Sequence, residues 1–348
     1  MPKVYNRKID IIIPAYNVPD EILFRCLSSI ACQDIVKDLE VTIVDDASTK
    51  QSYHRVAKSF SRFMKINILR YENNGGPGVA RQYGIDHTSN GYIAFIDADD
   101  TFNGSFALKA MRTGLELEGN KYQMCVATFD EILEHNLPEN EPGPILIEHA
   151  NDMVWMFGKI YRRSFIDKYK IKFHPSSRAN EDNGFNTICK LLLEEEQLIR
   201  FIPAHVYYWH ENLNSITRIN DGQYTYGGSE RDSTYGYVDN MIYALNTIQR
   251  IKPDHKGLLE FSLQSMTWLY QHYLECCVRE SKSLEANMKW YSRFYKEAFS
   301  LFEKDITQEQ YLKAYNNVMV QAYNTNAFFD LIPHKTYFEF LEECKKNA

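Results

Sequence analysis

Short apolar runs alternate with amphipathic segments over the N-terminal part of the chain. Four runs have the length and residue types of buried strands, at residues 9–13, 40–44, 66–70 and 92–96. The connecting segments predict helices, at residues 20–31, 51–63 and 77–88. Strands and helices that alternate in this way form right-handed βαβ units. The pattern therefore predicts an α/β fold with a Rossmann-like, mostly parallel central sheet flanked by helices.

The pattern changes towards the C-terminus. A fifth strand is predicted at 124–129, and the segment 136–144, rich in proline and acidic residues, is predicted to be irregular. Beyond about residue 220, apolar residues recur every three or four positions and predict helices at 237–251, 258–280, 288–303 and 308–322. We therefore expect two domains, an α/β domain at 1–219 and an all-helical domain at 220–348.

Polar residues cluster where three of the predicted strands end, at residues 14–17, 45–46 and 97–100. Because ligands of open parallel sheets bind beyond the carboxyl ends of the strands, the three clusters are predicted to form one site. Crowded carboxylates need a cation, a shared proton or a hydrogen-bonding network. A hard divalent ion that also binds substrate phosphates meets the first of these needs.

A glycine-rich loop precedes the predicted helix at 77–88. Gly75, Gly76 and Gly78 permit close backbone approach, and Arg81 lies one turn inside the helix. A helix N-terminus and an arginine both favour an anion, so the loop is a candidate phosphate site. A tight structural turn is the alternative interpretation of the glycines.

Composition and charge narrow the functional classes. The chain has 348 residues, and its 24 tyrosines and 20 phenylalanines are typical either of grooves for hydroxyl-rich ligands or of half-buried filling. A net charge of −7 without long basic runs argues against non-specific nucleic-acid binding. Seven cysteines without a CxxC pair indicate reduced thiols and a cytoplasmic protein. We expect no signal peptide and no membrane helix, because no segment has the ~18 apolar residues that a span needs.

Six short segments carry the chemically distinctive residues: "IIIPAYN", "VDDAS", "NNGGPGVARQYGI", "GYIAFIDADD", "FGKIYRRSFI" and "NEDNGFN". In this combination and order they resemble the family 2 glycosyltransferases of the GT-A fold, over about residues 8–218. The resemblance implies an inverting enzyme that takes a sugar from a nucleotide-diphospho-sugar and uses Mn²⁺ or Mg²⁺. A UDP-sugar is favoured because such donors are frequent in the family.

The resemblance also implies roles for single residues. The donor nucleotide is expected to contact Pro14, Tyr16, Asn17, Asp46, Arg81, Asp97 and Ala98. Asp99 is expected to hold the metal, which serves as Lewis acid for the departing nucleoside diphosphate. Asp182 is the expected general base for the acceptor hydroxyl, with a helix-capping role as the alternative. Glu181 beside it is assigned to the acceptor side.

Further residues near these motifs have two interpretations each. His210 is either a contact of the metal or diphosphate or a solvated loop histidine. Ser215 and Thr217 are additional candidates in the same segment. Trp155 and Trp209 are either walls for a sugar ring or core residues.

The acceptor has several candidate classes. We predict a glycan or a cell-wall polymer, with hydroxymethylated DNA as an alternative that the acidic net charge disfavours. The sequence "IDADDT" also fits the DxDxT motif of haloacid-dehalogenase-type phosphatases, although three strand units precede it. A nucleotidyltransferase and a binding module without turnover are further alternatives. The sequence departs from the family at Gln82, where asparagine is common, and the helical domain is expected to serve acceptor recognition or oligomerisation.

Overall fold

The computed structural model describes residues 5–50, 52–134, 143–177, 179–211, 233–279, 283–325 and 333–348. The chain divides into two compact units, Met1–Ser215 and Ile216–Ala348. The predicted domain boundary after residue 219 lies outside the described residues, as do the candidates Ser215 and Thr217.

The first four strands and three helices of the N-terminal unit follow the predicted βαβ pattern. They are β1 Ile9–Ala15, α1 Asp20–Ala31, β2 Leu39–Asp45, α2 His54–Phe60, β3 Lys65–Arg70, α3 Pro77–Asp86 and β4 Tyr92–Phe95. β1 lies between β2 and β4, β3 flanks β2, and all these pairs are parallel. The apolar run of β1 is buried on both faces, as expected for a central parallel strand.

The remaining strands complete a mixed sheet. The elements are β5 Thr101–Phe102, α4 Ala107–Asn120, β6 Met124–Leu133, β7 Ile145–His149, β8 Lys159–Arg162, α5 Arg163–Tyr169, α6 Glu181–Leu193 and β9 Ile199–His210. The strand order is β3-β2-β1-β4-β8-β6-β9-β5, with β7 paired to β6. β8 runs antiparallel to both β4 and β6, whereas β6 and β9 are parallel. The predicted α/β sheet flanked by helices is confirmed, and its continuous parallel part is the N-terminal half.

Helix α3 packs closely against strand β1. A Cβ atom added to Gly84 would lie 2.4 Å from Ile12 Cγ2, so a larger residue at position 84 would push the helix away from the strand. A buried ion pair between Arg163 and Asp10, at 3.0 Å, ties the start of α5 to the same strand. Both contacts stabilise the part of the sheet from which the strand-end loops extend.

The C-terminal unit is helical in its described residues, which confirms the predicted all-helical domain. Its helices are α7 Ser233–Ile251, α8 Leu258–Arg279, α9 Ser283–Glu297, α10 Gln308–Thr325 and α11 Tyr337–Lys346. Sequence analysis did not predict α11, which begins with a reciprocal capping box between Thr336 and Glu339. No helix in the described part of the chain is long and apolar enough to cross a membrane. All seven cysteines are free thiols.

Candidate functional site

Asn17 joins the loops that follow β1 and β2. Its side-chain oxygen accepts hydrogen bonds from two backbone N–H groups of the β2–α2 loop, both at 2.9 Å, and its own N–H donates to Ser48 Oγ at 2.9 Å. Asn17 adopts a φ of 52°, a left-handed conformation that asparagine tolerates better than most residues. Pro14 is half-buried beside it, and the ring of Tyr16 is 47% exposed. The two loops therefore form one surface with an exposed tyrosine ring.

Asp46 holds the glycine loop. Its Oδ1 accepts a hydrogen bond from Gly75 N at 2.6 Å, and its Oδ2 accepts bonds from Gly76 N at 2.8 Å and Asn74 Nδ2 at 3.1 Å. Gly76 has a φ of 88°, which favours glycine at this position. The carboxylate that was assigned to the donor nucleotide thus also fixes the loop in front of α3.

Arg81 bridges two carboxylates. The guanidinium is buried and donates from Nη2 to Asp97 Oδ1 at 2.6 Å and from Nη1 to Glu181 Oε1 at 2.8 Å. α3 and α6 approach closely here, since a Cβ on Gly78 would lie 2.8 Å from Glu181 Cγ. Arg81 therefore connects the end of β4 to the start of α6.

The three aspartates after β4 occupy different environments. The Asp97 side chain is 30% exposed, and Asp99 is half-buried. Asp100 is fully buried and accepts hydrogen bonds from Tyr207 Oη at 2.6 Å and His210 N at 2.9 Å. Burial, reinforced by the neighbouring Asp99 and Asp97 charges, raises the pKa of Asp100 well above its usual range. Asp100 therefore joins this loop to β9, whereas Asp97 and Asp99 remain at the edge of the site.

Arg25 of α1 and Gln33, which follows α1, bond the chain after β4. Arg25 Nη2 donates to the backbone oxygen of Asp99 at 2.6 Å, and Gln33 Nε2 donates to that of Gly104 at 2.7 Å. Ala98, within the loop, is buried. The polar residues of α1 were not predicted as site residues, because the helix was interpreted only from its apolar face.

Asp182 lies in the first turn of α6, where Asn183 N donates to its Oδ1 at 2.8 Å. Burial raises the pKa of Asp182 to about 7, and the adjacent Glu181 adds to this, while Arg81 opposes it. A carboxyl group with a pKa near neutrality can both accept and release a proton at physiological pH, as a general base must.

Lys159 is a buried cation near Asp182. Its Nζ is 3.3 Å from Asp152 Oδ1 and donates to Phe157 O at 3.2 Å. Burial lowers the pKa of Lys159 to about 8, while the charges of Asp152 and Asp182 oppose that change. Lys159 was not among the predicted site residues, because a lysine within a short strand gives no signal of its own.

His210 lies at the end of β9. Its Nε2 is 3.0 Å from Thr101 Oγ1, and its buried Nδ1 has no hydrogen-bond partner among the described residues. Burial and then the charge of Arg25 lower the pKa of His210, which keeps the imidazole in the neutral form that binds metals. No group of three or more potential metal ligands occurs among the described residues.

The chain has clear similarity to one protein family. The model of Glycosyl transferase family 2 matches residues 10–177, a range that includes the strand-end loops and the aspartates after β4. Residues 10–177 are a glycosyltransferase family 2 segment. The match ends before Asp182. The location of Asp182 therefore comes from the structure, in which it lies in the first turn of α6.

Two relatives illustrate how much of the chain is shared. Glycosyltransferase GlyA of Streptococcus pneumoniae serotype 4 is 37% identical over 229 residues, which are 61% of this chain and 32% of GlyA. Poly(ribitol-phosphate) beta-N-acetylglucosaminyltransferase TarS of Staphylococcus aureus is 34% identical over 185 residues, 51% of this chain and 31% of TarS. The chain spans less than two thirds of the length of the relatives it matches.

A solved structure extends the likeness to nearly the whole chain. The crystal structure of S. aureus TarS 1–349 in complex with UDP superposes with a TM-score of 0.62 at 15% identity, and covers 98% of this chain and 92% of that one. At this identity the likeness concerns the fold, and the α/β unit has the GT-A fold that the motifs predicted.

The two candidate tryptophans of this glycosyltransferase domain lie together. The Trp155 and Trp209 rings are 5.6 Å apart with an interplanar angle of 29°.

The departure at Gln82 has a structural role, because its Oε1 accepts a hydrogen bond from Phe173 N at 3.0 Å and its Nε2 donates to Asp86 at 2.9 Å.

Proposed function

We propose that the chain transfers a sugar from a nucleotide-diphospho-sugar to an acceptor hydroxyl, with inversion and with Asp182 as general base. The observation that carries this proposal is the environment of Asp182. Its carboxyl group has a pKa of about 7 and sits one residue from Glu181, which Arg81 joins to Asp97 at the donor edge. A poised base is thereby held next to the loops that bind the nucleotide in this family.

A UDP-sugar is our proposed donor, and a glycan or cell-wall polymer our proposed acceptor. The solved structures of TarS contain UDP and UDP-GlcNAc, and TarS acts by name on poly(ribitol phosphate). In the proposed complex, the base and ribose lie against Pro14, Tyr16 and Asn17, and Asp97 and Ala98 lie near the ribose. Asp46 contributes by holding the glycine loop in front of α3.

A divalent cation, Mn²⁺ or Mg²⁺, would be held by Asp99, with His210 as a second ligand. The buried, unpartnered Nδ1 of His210 and its neutral imidazole fit this role. With two protein ligands, the remaining coordination would come from phosphate oxygens and water, as is usual for such ions. The bound cation would supply Lewis-acid stabilisation of the nucleoside diphosphate.

The protein's own residues orient and activate the acceptor. Asp182 removes the proton from the acceptor hydroxyl as it attacks the anomeric carbon, and Glu181 keeps that carboxyl group from ionising too readily. Arg81 fixes Asp97 and Glu181 relative to each other. The helical unit is proposed to serve acceptor recognition or self-association.

Two alternatives have less support. Hydroxymethylated DNA as acceptor would need a cationic surface, and the chain carries a net charge of −7. A phosphatase with Asp97 as nucleophile would need that carboxylate free to attack, whereas Asp97 is bound to Arg81.

A binding screen tests the proposal. The full chain is incubated with UDP-, GDP-, CDP- and TDP-sugars, with MnCl₂ or with EDTA, and thermal shift and donor hydrolysis are measured. We expect at least one nucleotide sugar to raise the melting temperature more with Mn²⁺ than with EDTA. Failure of every nucleotide sugar to bind in either condition would overturn the proposal.

A further inference from the structure

Three aromatic rings pack in a roughly parallel arrangement beside α6. The Trp155 ring lies 6.0 Å from Phe157 with an interplanar angle of 3°, and Phe157 and Trp209 are 5.6 Å apart at 29°. Phe157 is buried, Trp209 is half-buried, and Trp155 is 36% exposed. We call Trp155, Phe157 and Trp209 the aromatic platform. It is a hydrophobic cluster in which Phe157 is buried and the Trp155 indole is the most exposed ring.

The backbone of Trp155 is fixed to the helix that carries Asp182. Asn186 is fully buried and donates from Nδ2 to Trp155 O at 2.9 Å. On the other side, Asp152 Oδ1 accepts a hydrogen bond from Trp155 N at 2.8 Å. Asn186 follows Asp182 by one helical turn, so both residues project from the same face of α6. The backbone of Trp155 is therefore bonded to α6 one turn from the candidate base, and the indole packs on Phe157 and Trp209.

The charged groups beside the platform are paired. Lys159 contacts Asp152 at 3.3 Å, and His149 contacts Glu131 at 3.4 Å. Glu131 lies directly opposite Trp209 in the register of β6 and β9. Lys159 already has a carboxylate partner, so it provides no positive charge in excess for an incoming phosphate. We call Glu131, opposite Trp209, and Asp152, which is bonded to Trp155 N, the rim carboxylates.

We propose that the aromatic platform binds a neutral, unphosphorylated sugar ring of the acceptor. This inference rests on the proposed glycosyltransferase function and names its acceptor class. The C–H face of a pyranose packs against the exposed face of Trp155, as apolar surface packs on aromatic rings. Its hydroxyl groups donate hydrogen bonds to the rim carboxylates of Glu131 and Asp152, which accept but cannot donate when ionised. A polyol-phosphate chain would place anions against the same carboxylates.

The test compares saccharides with a phosphate polymer on the full chain. Methyl glycosides of glucose, galactose and N-acetylglucosamine, and an oligomer of ribitol phosphate, are titrated by calorimetry in the presence of UDP and Mn²⁺. We expect at least one methyl glycoside to bind and the ribitol phosphate oligomer to bind more weakly. This comparison uses the wild-type protein and does not depend on any variant.

Substitutions then locate the contact. Trp155→Ala is expected to weaken glycoside binding by about tenfold or more, whereas Trp155→Phe retains most of it. Trp268→Ala is the matched control, because Trp268 is 37% exposed and stacks on Tyr237 in the helical unit. Nucleotide binding is expected to be equal in all four proteins.

The outcomes separate this inference from the function on which it rests. Absence of glycoside binding by the wild type, tighter binding of ribitol phosphate, or unchanged binding by Trp155→Ala would each overturn the platform as a neutral-sugar site. Each of these results leaves the proposed function standing if nucleotide sugars still bind. Loss of all nucleotide-sugar binding in the wild type would instead remove the proposed function.

Discussion

Replacing Glu181 by glutamine should make transfer less sensitive to acid. Glu181 is buried and adjacent to Asp182; burial raises the pKa of Glu181, and the Arg81 guanidinium, which donates to it at 2.8 Å, opposes that change. The pKa of Asp182, about 7, is raised first by burial and then by the Glu181 charge. Because Asp182 acts only when deprotonated, transfer should rise with pH through that value. Glutamine removes the negative charge of Glu181, and the positive charge of Arg81 then acts more strongly on Asp182. Both changes lower the pKa of Asp182.

The size of the effect follows from the charges involved. For like charges about 8 Å apart at an effective dielectric constant of about 20, Coulomb's law gives about 2 kcal/mol. One pKa unit corresponds to about 1.4 kcal/mol, so the acid limb is expected to move down by about one pH unit once solvent screening of half-buried Asp182 is included. The glutamine side chain can still accept the hydrogen bond from Arg81, so α6 should keep its position.

The assay is the pH dependence of kcat/KM for transfer or donor hydrolysis, measured from about pH 5 to about pH 9, a range that brackets neutrality. Glu194→Gln is the control, since it removes the same charge from the other end of α6, where the side chain is 63% exposed. Its profile should match that of the wild type. A midpoint that stays in place or moves upward in Glu181→Gln would refute the role given to Glu181.

Other contacts give predictions of different kinds. Asp182→Asn should keep donor binding and reduce transfer by about 100-fold or more. The substitution should also raise the melting temperature at pH 8. The pKa of Asp182 is higher in the folded than in the unfolded chain, so its ionisation between about pH 4 and about pH 7 destabilises the folded protein, and asparagine does not ionise. Transfer by Asp182→Asn at the wild-type rate would contradict the proposed role of Asp182. Asp99→Asn should abolish the Mn²⁺-dependent part of donor binding in thermal-shift assays, and an unchanged response to EDTA would exclude Asp99 as a ligand. Gly84→Ala should lower the free energy of unfolding in urea by about 1–3 kcal/mol, because the added Cβ meets Ile12, while Gly143→Ala has open space and should change it little. Equal values for both would contradict the close packing of α3.

Local patterns predicted the parallel half of the sheet but little of the rest. β1, β2 and β4 contain short runs rich in apolar residues, and β3 alternates isoleucine with polar residues; such patterns indicate strands without knowledge of their neighbours. β8 has four residues and no distinctive period, and it exists because β4 and β6 pair with it from distant parts of the sequence. β9 contains Pro203, which ordinarily argues against a strand, yet it pairs with β6 through two register shifts. Such long-range pairing has no local signal.

The site was predictable in position and less so in detail. The rule that ligands bind beyond the carboxyl ends of parallel strands brought residues 14–17, 45–46 and 97–100 to one edge. It did not reveal what each side chain contacts. Asp46 holds the glycine loop, and Arg81 is bonded to Glu181, which lies 100 positions away in the sequence. Lys159 could be recognised as a buried cation near the site only from the structure, where it lies in β8.

A count of charges explains why Asp182, among its neighbours, is the group that titrates near neutrality. Asp97 and Glu181 share the single positive charge of Arg81, and Asp152 is paired with Lys159. Among the described residues, Asp182 forms no ion pair and accepts a hydrogen bond from the Asn183 backbone. The group therefore contains four carboxylates and two buried cations. A bound proton reduces this excess of negative charge, and it binds most readily to the carboxylate that contacts no cation. The arrangement of charges thus supports the proposal that Asp182 is the base, and the family resemblance implies the same residue.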